Sequence, residues 1–573
     1  MTSSETPNEE LQEALEAAEA AKAAAEAAQR KADELAAAAE AAAVAETPAA
    51  PADTPREHSE LAAAVIAGYS FEGSALEMGA LVEGDPNPDA RVRIPFGMLN
   101  RHGLVAGATG TGKTKTLQVL AEQISAGGVP VFAADIKGDL SGISVPGTSS
   151  EKLLARCESI GQDWQATASP TEFFALGSRG TGVPIRATVE SFGSLLLSKV
   201  LGLNETQESS LALVFYYAEQ NNLPLITIED LRATIAYLTS DEGKTELKNL
   251  GGLSKATAGV ILRELIAFAA AGGDEFFGEP EFDINDFLRT APDGRGIVSL
   301  LEVPGVADQP ALFSTFLMYL LRSLFAVLPE VGDQDKPKLV FFFDEAHLLF
   351  KDASKDFLET ITQTVRLIRS KGVGVFFVTQ TPKDVPSDVL AQLGSRLQHQ
   401  LRAHTPQDAK ALKATVSTYP NSGYDLGEVL TQLATGEAIV TVMNEKGAPT
   451  PVAWTRLRAP QGSMDPAPAE AMAAAVSGSL LASKYAAGVE RAGAAEALAQ
   501  RQAAAEEQAA AQAQAEGPDV DNIKTPKASQ SGREKAEAKP KRRSNRMRPW
   551  EKAAGEASRT LARELVKSLF KKK

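Results

Sequence analysis

Cysteine, long apolar runs and clustered metal ligands are scarce in this sequence of 573 residues. Cys157 is its only cysteine, which excludes an internal disulfide framework and a cysteine zinc site. The five histidines are scattered and form no metal-ligand cluster with it. No run approaches the roughly 20 apolar residues that a membrane-spanning helix needs, and the acidic, polar N-terminus is unlike a signal peptide. These absences predict a cytoplasmic protein without a transmembrane segment.

Large apolar side chains are scarce in two alanine-rich segments, 11–43 and 467–515, which consist mainly of Ala, Glu, Gln and Lys. Such segments bury too little apolar surface to offset the entropy lost when a tertiary core is ordered. Their helix propensity is high, so lone helices or weak coiled coils are predicted. The folded part is then roughly the middle 400 residues.

Positive charge is in excess only near the C-terminus. The whole chain has a net charge of −16, whereas residues 521–573 contain 17 Lys/Arg and 6 Asp/Glu, a net of +11. The remainder therefore carries −27. Such an acidic body argues against a protein that coats nucleic acid over its outer surface. It permits a motor that grips a polyanion through loops lining a central pore.

Apolar strands alternate with helices through the middle of the chain. Strands are predicted at 103–107, 129–136, 297–303, 338–344 and 373–379, with helices at 115–125, 310–327 and 353–370. Near-continuous apolar strands joined by helices are typical of a parallel sheet covered on both faces. Two later strands, 437–444 and 452–457, are predicted to extend the sheet as a hairpin.

A phosphate-binding pattern, G-x-x-x-x-G-K-[ST], lies between the first predicted strand and its helix and reads GATGTGKT from Gly107 to Thr114. Its glycines let successive backbone N–H groups point at phosphates, and the helix N-terminus adds partial positive charge. We predict an ATP site in which Lys113 contacts the β- and γ-phosphates and the Thr114 hydroxyl ligates Mg²⁺. The predicted nucleotide contacts are Gly107, Ala108, Thr109, Gly110, Thr111, Gly112, Lys113, Thr114 and Lys115.

Two carboxylates, Asp344 and Glu345, end the apolar strand LVFFF. We predict that Asp344 holds the metal with its water shell and that Glu345 polarises the attacking water as general base. An alternative is that the pair only caps the following helix, because acidic residues are favoured at helix N-termini.

Further candidate side chains follow the next helix and strand. Gln380 ends the strand 373–379, where an amide can sense the γ-phosphate and the attacking water, or can merely close a strand. Arg366 and Arg369 lie near a helix C-terminus. Either could stabilise transition-state charge on a neighbouring subunit's phosphate, or could simply complement the helix dipole.

Two lysines lie on loops that follow predicted strands, Lys137 and Lys383. Loops at these strand ends could present both ammonium groups to a DNA backbone in a pore. The alternative is that they are solvated surface lysines.

Four stretches together resemble the HerA/FtsK superfamily of P-loop motors, and more narrowly the bacterial HerA-like helicases of the helicase HerA-like C-terminal domain family. They are RHGLVAGATGTGKT, FFFDEAH, VRLIRSKGVGVFFVTQTP and GEAIVTVMNEKGAPTPV, and the likeness spans about residues 71–460. The resemblance implies an α/β fold with a RecA-like P-loop NTPase core and a mainly parallel sheet. It also implies that Gln380 is the sensor, that Arg366 or Arg369 acts in trans, and that a hexameric ring is threaded by DNA.

The predicted organisation has six parts. They are a low-complexity segment and linker (1–58), a small β lead-in (59–98), the RecA-like core (99–460) with an inserted helical subdomain (about 191–271), an Ala/Gln/Glu-rich helical segment (461–516), a basic disordered linker (517–548) and a basic amphipathic helix (549–573). The last helix is of a kind that binds DNA, an anionic membrane surface or an acidic partner, and it could also dock on the acidic body.

The resulting prediction is a Mg²⁺-dependent ATPase motor that translocates along double-stranded DNA or separates it. Two alternatives remain at this level. One is a non-motor ATP switch or assembly factor that acts on protein partners through its helical insertion and tails. The other is a secretion- or conjugation-type ATPase at the membrane.

Overall fold

A computed structural model describes residues 58–177, 180–247, 251–303, 310–332, 334–350 and 355–515. The predictions made for residues 1–57, for the linker 517–548 and for the basic helix 549–573 lie outside the described residues. The chain divides into two compact units at Ala503, and of the second unit only the end of one helix is described.

Twelve strands of the described residues form one sheet. The strands are β1 (Ala75–Glu83), β2 (Asp85–Pro95), β3 (Gly103–Ala106), β4 (Val131–Asp135), β5 (Thr171–Leu176), β6 (Val183–Ile185), β7 (Val298–Glu302), β8 (Leu339–Phe343), β9 (Val373–Thr379), β10 (Ser395–Gln398), β11 (Glu437–Thr441) and β12 (Ala453–Leu457).

Helices connect most of these strands. The described α-helices are α1 (Glu60–Gly68), α2 (Lys113–Ala126), α3 (Glu151–Ser159), α4 (Val189–Phe192), α5 (Ser194–Val200), α6 (Glu205–Gln220), α7 (Ile228–Thr239), α8 (Gly243–Glu246), α9 (Lys255–Ala270), α10 (Pro310–Val327), α11 (His347–Phe350), α12 (Lys355–Ile368), α13 (Ser387–Leu390), α14 (Pro406–Val416), α15 (Leu426–Gln432), α16 (Ala469–Gly478), α17 (Ala482–Tyr485) and α18 (Ala494–Ala515).

Eight neighbouring strands are parallel, in the order β10-β3-β9-β8-β4-β7-β5-β6. Beyond β10, the strands β11, β12, β1 and β2 continue the sheet with antiparallel pairing. The predicted hairpin is therefore present as β11 and β12. The prediction of an α/β RecA-like core with a mainly parallel sheet is confirmed.

Both faces of the parallel sheet are covered, as the apolar strands predicted. On β8, Phe341 and Phe343 point into one hydrophobic core and Phe342 points into the other, and all three are buried. Helices α10 and α12 cover the first face, while α2 covers the second. The helix that follows the glycine-rich loop is thus held against the sheet from which the two acidic residues emerge.

The helices between β6 and β7 share the first of these cores. Leu211 on α6, Leu231 on α7 and Ile261 on α9 are buried in the same cluster as the sheet residues. Helices α6 and α7 begin at capping boxes, in which the side chains of Asn204 and Thr227 accept backbone N–H groups that would otherwise be unpaired. This helical segment therefore packs onto the sheet as a continuous body.

The prediction of lone helices for 467–515 is wrong for its first part. Tyr485 is fully buried, and its hydroxyl donates a 2.5 Å hydrogen bond to Asp286. Leu481 and Leu498 are buried in the same core as the sheet. These three large side chains lie where the segment contacts the body, so an alanine-rich composition is enough for docking.

His102 joins three elements at the start of β3. The Val375 N–H donates to its Nδ1 (3.1 Å), and the opposite nitrogen, Nε2, lies 2.7 Å from the Val365 carbonyl, which defines Nε2 as the protonated position. The imidazole is fully buried, and this burial lowers the pKa of His102 to about 4. A positive charge on the ring would be buried without an acidic partner. Protonation would also add a hydrogen at Nδ1, which would then face the Val375 N–H, a second donor.

This histidine predicts a specific acid sensitivity. With a folded-state pKa of about 4 against an ordinary 6.5, the unfolded chain binds more protons between these values, so stability falls as pH falls through this window. One such group removes about 2 kcal/mol between pH 7 and pH 5. Urea unfolding at pH 7, 6 and 5 should show that His102→Gln loses correspondingly less stability across the interval. The exposed His404→Gln is the control, and an unchanged slope in His102→Gln would contradict the assignment.

Candidate nucleotide site

The glycine-rich loop, residues 107–112, joins β3 to α2. Backbone hydrogen bonds to neighbouring strand ends fix the loop. The Gly107 N–H donates to the Thr379 carbonyl (3.2 Å), and the Ala108 N–H donates to the Gln400 carbonyl (2.9 Å). Gly112 directly precedes α2 with φ of +108°, a conformation that residues with a side chain rarely adopt. The loop thus curls over the N-terminus of α2, where backbone N–H groups are free to meet an anion.

Lys113 begins α2 and lies above the loop. Its ammonium donates to the Ala108 carbonyl (3.1 Å). Burial lowers the pKa of Lys113, and the nearby charges of Glu345 and Asp344 oppose that shift. Lysine and acids therefore share one local electrostatic environment. The half-buried Thr114 is the next residue of α2, whereas the Lys115 ammonium is directed to Gln118 and the Asp139 carbonyl, both at 3.4 Å.

Asp344 and Glu345 follow β8, which is separated from β3 by one strand, β9. Since neighbouring strands are about 4.8 Å apart, the ends of β3 and β8 lie about 10 Å from each other at the same edge of the sheet. Burial, with a smaller contribution from the adjacent charge of Glu345, raises the pKa of Asp344 to about 7. A carboxylate buried beside a second carboxylate is a favourable partner for a cation.

Glu345 has an unusual backbone and two basic neighbours. Its φ is +47°, in the left-handed region that costs a non-glycine residue about 1–2 kcal/mol. The Lys137 ammonium lies 2.6 Å from Oε1, and Nδ1 of His347 lies 3.3 Å from Oε2. The His347 Nδ1 and Glu345 Oε2 atoms are within ion-pair distance but form no hydrogen bond. Both atoms are therefore buried without a hydrogen-bond partner. Strained, pre-positioned side chains of this kind are concentrated at functional sites.

The other predicted residues follow β9 or lie on and after α12. Gln380 follows β9 and is exposed, so it stands between the glycine-rich loop and the acidic pair in the strand order. Arg366 is exposed on α12, and Arg369 lies in the short 3₁₀ turn after it. Lys383 is exposed in the turn Pro382–Asp384 after β9.

Sequence reasoning missed two residues that support the loop, His399 and Arg402. His399 is fully buried, and its Nε2 lies 3.0 Å from the Thr116 hydroxyl. It packs so closely that a Cβ on Gly107 would lie 2.5 Å from the histidine's Cβ. Arg402 donates to the Thr109 carbonyl at 3.2 Å. No motif marks either residue; they reach the loop because β10 pairs with β3.

A cavity of about 580 Å³ opens beside the same loop, next to Gly112 and Thr116. Arg156 helps to shape it by donating to the carbonyls of Gly436 (2.8 Å) and Leu457 (3.3 Å). Its other lining side chains include Lys115, Lys152, Leu153, Arg456, Arg458 and Pro460. A larger cavity of about 750 Å³ includes none of the predicted site residues.

Among the described residues, no helix combines the length and the apolar character needed to cross a bilayer. Likewise, within those residues no group of three or more His, Cys, Asp or Glu side chains is arranged to hold a metal ion.

Comparison with known proteins agrees with this geometry. The family model for the helicase HerA-like C-terminal domain matches residues 81–572. The chain is 24% identical over 379 residues to a DNA double-strand break repair helicase HerA of Sulfolobus acidocaldarius, covering 65% of this chain and 67% of that protein. It is 32% identical over 153 residues to a probable helicase of Methanocaldococcus jannaschii, covering 25% of this chain and 28% of that protein.

A solved structure of the bacterial conjugative coupling protein TrwB is also similar, at 16% identity and a TM-score of 0.48, over 71% of this chain and 94% of that one. The family match includes the glycine-rich loop, the acidic strand end and the sheet that joins them. The resemblance noted in the sequence is confirmed, and this chain belongs to the helicase HerA-like C-terminal family of P-loop ATPases.

Proposed function

We propose that this ATPase is a Mg²⁺-dependent motor of the cytoplasm that translocates along double-stranded DNA or separates its strands. The observation that carries the proposal is the shared sheet edge, where Lys113, Asp344 and Glu345 interact electrostatically beside the glycine-rich loop. Relatives named as DNA double-strand break repair helicases support the choice of DNA as the track.

Lys113 and the loop would bind the triphosphate. The backbone N–H groups of the loop and the N-terminus of α2 provide fixed positive potential, and the Lys113 ammonium adds a mobile charge for the β- and γ-phosphates. Thr114 and Asp344 would hold Mg²⁺, an ion that typically takes one or two protein groups together with substrate phosphates. Bound there, the ion would neutralise phosphate charge and relieve the electrostatic cost of the buried Asp344 carboxylate.

Glu345 would act as the general base. Its carboxylate lies next to Asp344 at the strand end, where it can accept a proton from a water in line with the γ-phosphate. Gln380, at the end of the neighbouring strand, would orient that water and report the presence of the γ-phosphate.

The adjacent 580 Å³ cavity would receive the nucleoside. It begins at Gly112 and Thr116, the residues on either side of the lysine and threonine assigned to the triphosphate and its metal. Its mixture of apolar and cationic walls, represented by Leu153 and Arg156, suits an uncharged base attached to an anionic tail.

A ring of six subunits would complete the site. Arg366 is exposed on α12, so it is available to a neighbouring subunit's phosphate, and Arg369 follows in the next turn. Lys137 and Lys383 are exposed on loops after β4 and β9, two strands separated by β8, and a ring could present both lysines to DNA in its pore.

A DNA-dependent ATPase assay tests this function. Linear double-stranded DNA should raise the hydrolysis rate severalfold, and raising NaCl from 50 to 200 mM should increase the DNA concentration needed for half-maximal stimulation, because phosphate contacts release counterions. Lys113→Ala protein purified in parallel measures contaminating ATPase activity. A rate that stays constant over a wide DNA titration would contradict the motor and favour a non-motor switch that acts on protein partners.

A further inference from the structure

The ammonium of Lys137 occupies one oxygen of the proposed general base. The distance from Nζ to Glu345 Oε1 is 2.6 Å, and the lysine side chain remains 50% exposed while that of the glutamate is only 12% exposed. Burial alone would lower the pKa of Lys137, but the hydrogen bond and charge of Glu345 outweigh it and the pKa is raised. The contact therefore joins a solvent-accessible cation to a catalytic carboxylate.

The loop that carries Lys137 is held in place independently of this contact. The Asp135 carboxylate, at the end of β4, accepts the backbone N–H groups of Gly138 (2.7 Å), Asp139 (3.1 Å) and Leu140 (2.7 Å). Because β4 pairs directly with β8, this loop and the acidic pair emerge side by side. The lysine side chain can exchange partners while its backbone stays fixed.

Few groups hold the side-chain carboxylate of Glu345. Oε1 accepts the Lys137 ammonium, whereas Oε2 is buried and accepts no hydrogen bond. The direction of the carboxylate is therefore set by Lys137. Loss of that partner would leave Oε1 available to a water.

We propose that Lys137 is a positioning residue that restrains Glu345 until a DNA phosphate draws the ammonium away. This inference rests on the proposed function, and it adds the means by which DNA stimulates hydrolysis. An exposed ammonium exchanges readily between a carboxylate and a phosphodiester, because water screens either pair and neither is strongly bound. DNA contact at this edge of the sheet then frees the Glu345 carboxylate, so that ATP is hydrolysed when DNA is bound and can be translocated.

The experiment compares steady-state ATPase rates without DNA and with saturating linear double-stranded DNA. Lys137→Met keeps the aliphatic stem and removes the charge, while Lys137→Arg keeps the ion pair. Lys244→Met is the matched control, since Lys244 pairs with Asp241 at 3.1 Å with a side chain 40% exposed, in the helical segment. The KM for ATP is measured for every variant, because release of the base changes kcat and leaves nucleotide binding unchanged.

We expect the DNA-free kcat of Lys137→Met to rise about two- to fivefold, the factor that an exposed ion pair supplies. Its ratio of DNA-stimulated to basal rate should fall by the same factor, with KM unchanged and with Lys137→Arg and Lys244→Met like wild type. A basal rate that is unchanged or lower in Lys137→Met, while DNA still stimulates the wild type, would overturn this inference and leave the proposed function intact. A wild type that does not respond to DNA would overturn both.

Discussion

Replacing Glu345 with glutamine will slow ATP hydrolysis by about 10²–10⁴-fold and leave ATP bound. The amide has nearly the same size as the carboxylate but cannot accept the proton of the attacking water. Asp344 and Thr114, the proposed metal ligands, are unchanged, so nucleotide binding should persist. Single-turnover hydrolysis with enzyme in excess, together with equilibrium binding of ATP, measures both effects.

Glu359→Gln is the matched control for this substitution. Glu359 lies on α12, is 63% exposed and pairs with Lys355 at 3.9 Å, so its replacement removes the same charge at a distance from the site. Hydrolysis by Glu345→Gln within tenfold of the control would show that another group is the base.

Lys113→Ala should reduce hydrolysis by at least about 10²–10³-fold, the loss expected when one fixed donor to transition-state charge is removed. Its ammonium donates to the Ala108 carbonyl of the loop and interacts with the charges of Glu345 and Asp344. ATP binding should weaken by about 10–100-fold, since a charge-assisted hydrogen bond to phosphate is lost. Titration with ATP and measurement of steady-state turnover test the two effects.

Lys410→Ala, on the exposed surface of α14, is the control for loss of a lysine. Turnover by Lys113→Ala above about one tenth of wild type would contradict its assigned role. Lys113→Ala subunits can also be mixed with Arg366→Ala or Arg369→Ala subunits. Recovery of activity in a mixture would identify the arginine that acts in trans, because each mixed interface could then combine one intact lysine with one intact arginine.

The chemistry-bearing residues were accessible from the sequence because their signals are local. The spacing of Gly107, Gly112 and Lys113 is typical of a backbone that curls around phosphates. The run before Asp344 is apolar because a central parallel strand is buried on both faces. Prediction of the core's α/β class depended on the same alternation of strands and helices.

Other features depended on which strands become neighbours. His399 and Arg402 carry no motif, and they support the loop only because β10 pairs with β3. Lys137 was predicted as a loop lysine, yet its contact with Glu345 arises because β4 and β8 are adjacent. The docking of Tyr485 likewise could not be read from an alanine-rich segment, since it requires a specific acceptor at Asp286.

The sequence by itself determined the position of the glycine-rich loop, the acidic strand end and the α/β class, because each follows from spacing or apolar patterning within a short stretch. Only the tertiary structure decided the strand order, the buried histidines and the Lys137–Glu345 contact. These join residues distant along the chain, and such contacts are fixed by how the strands pair and pack as a whole.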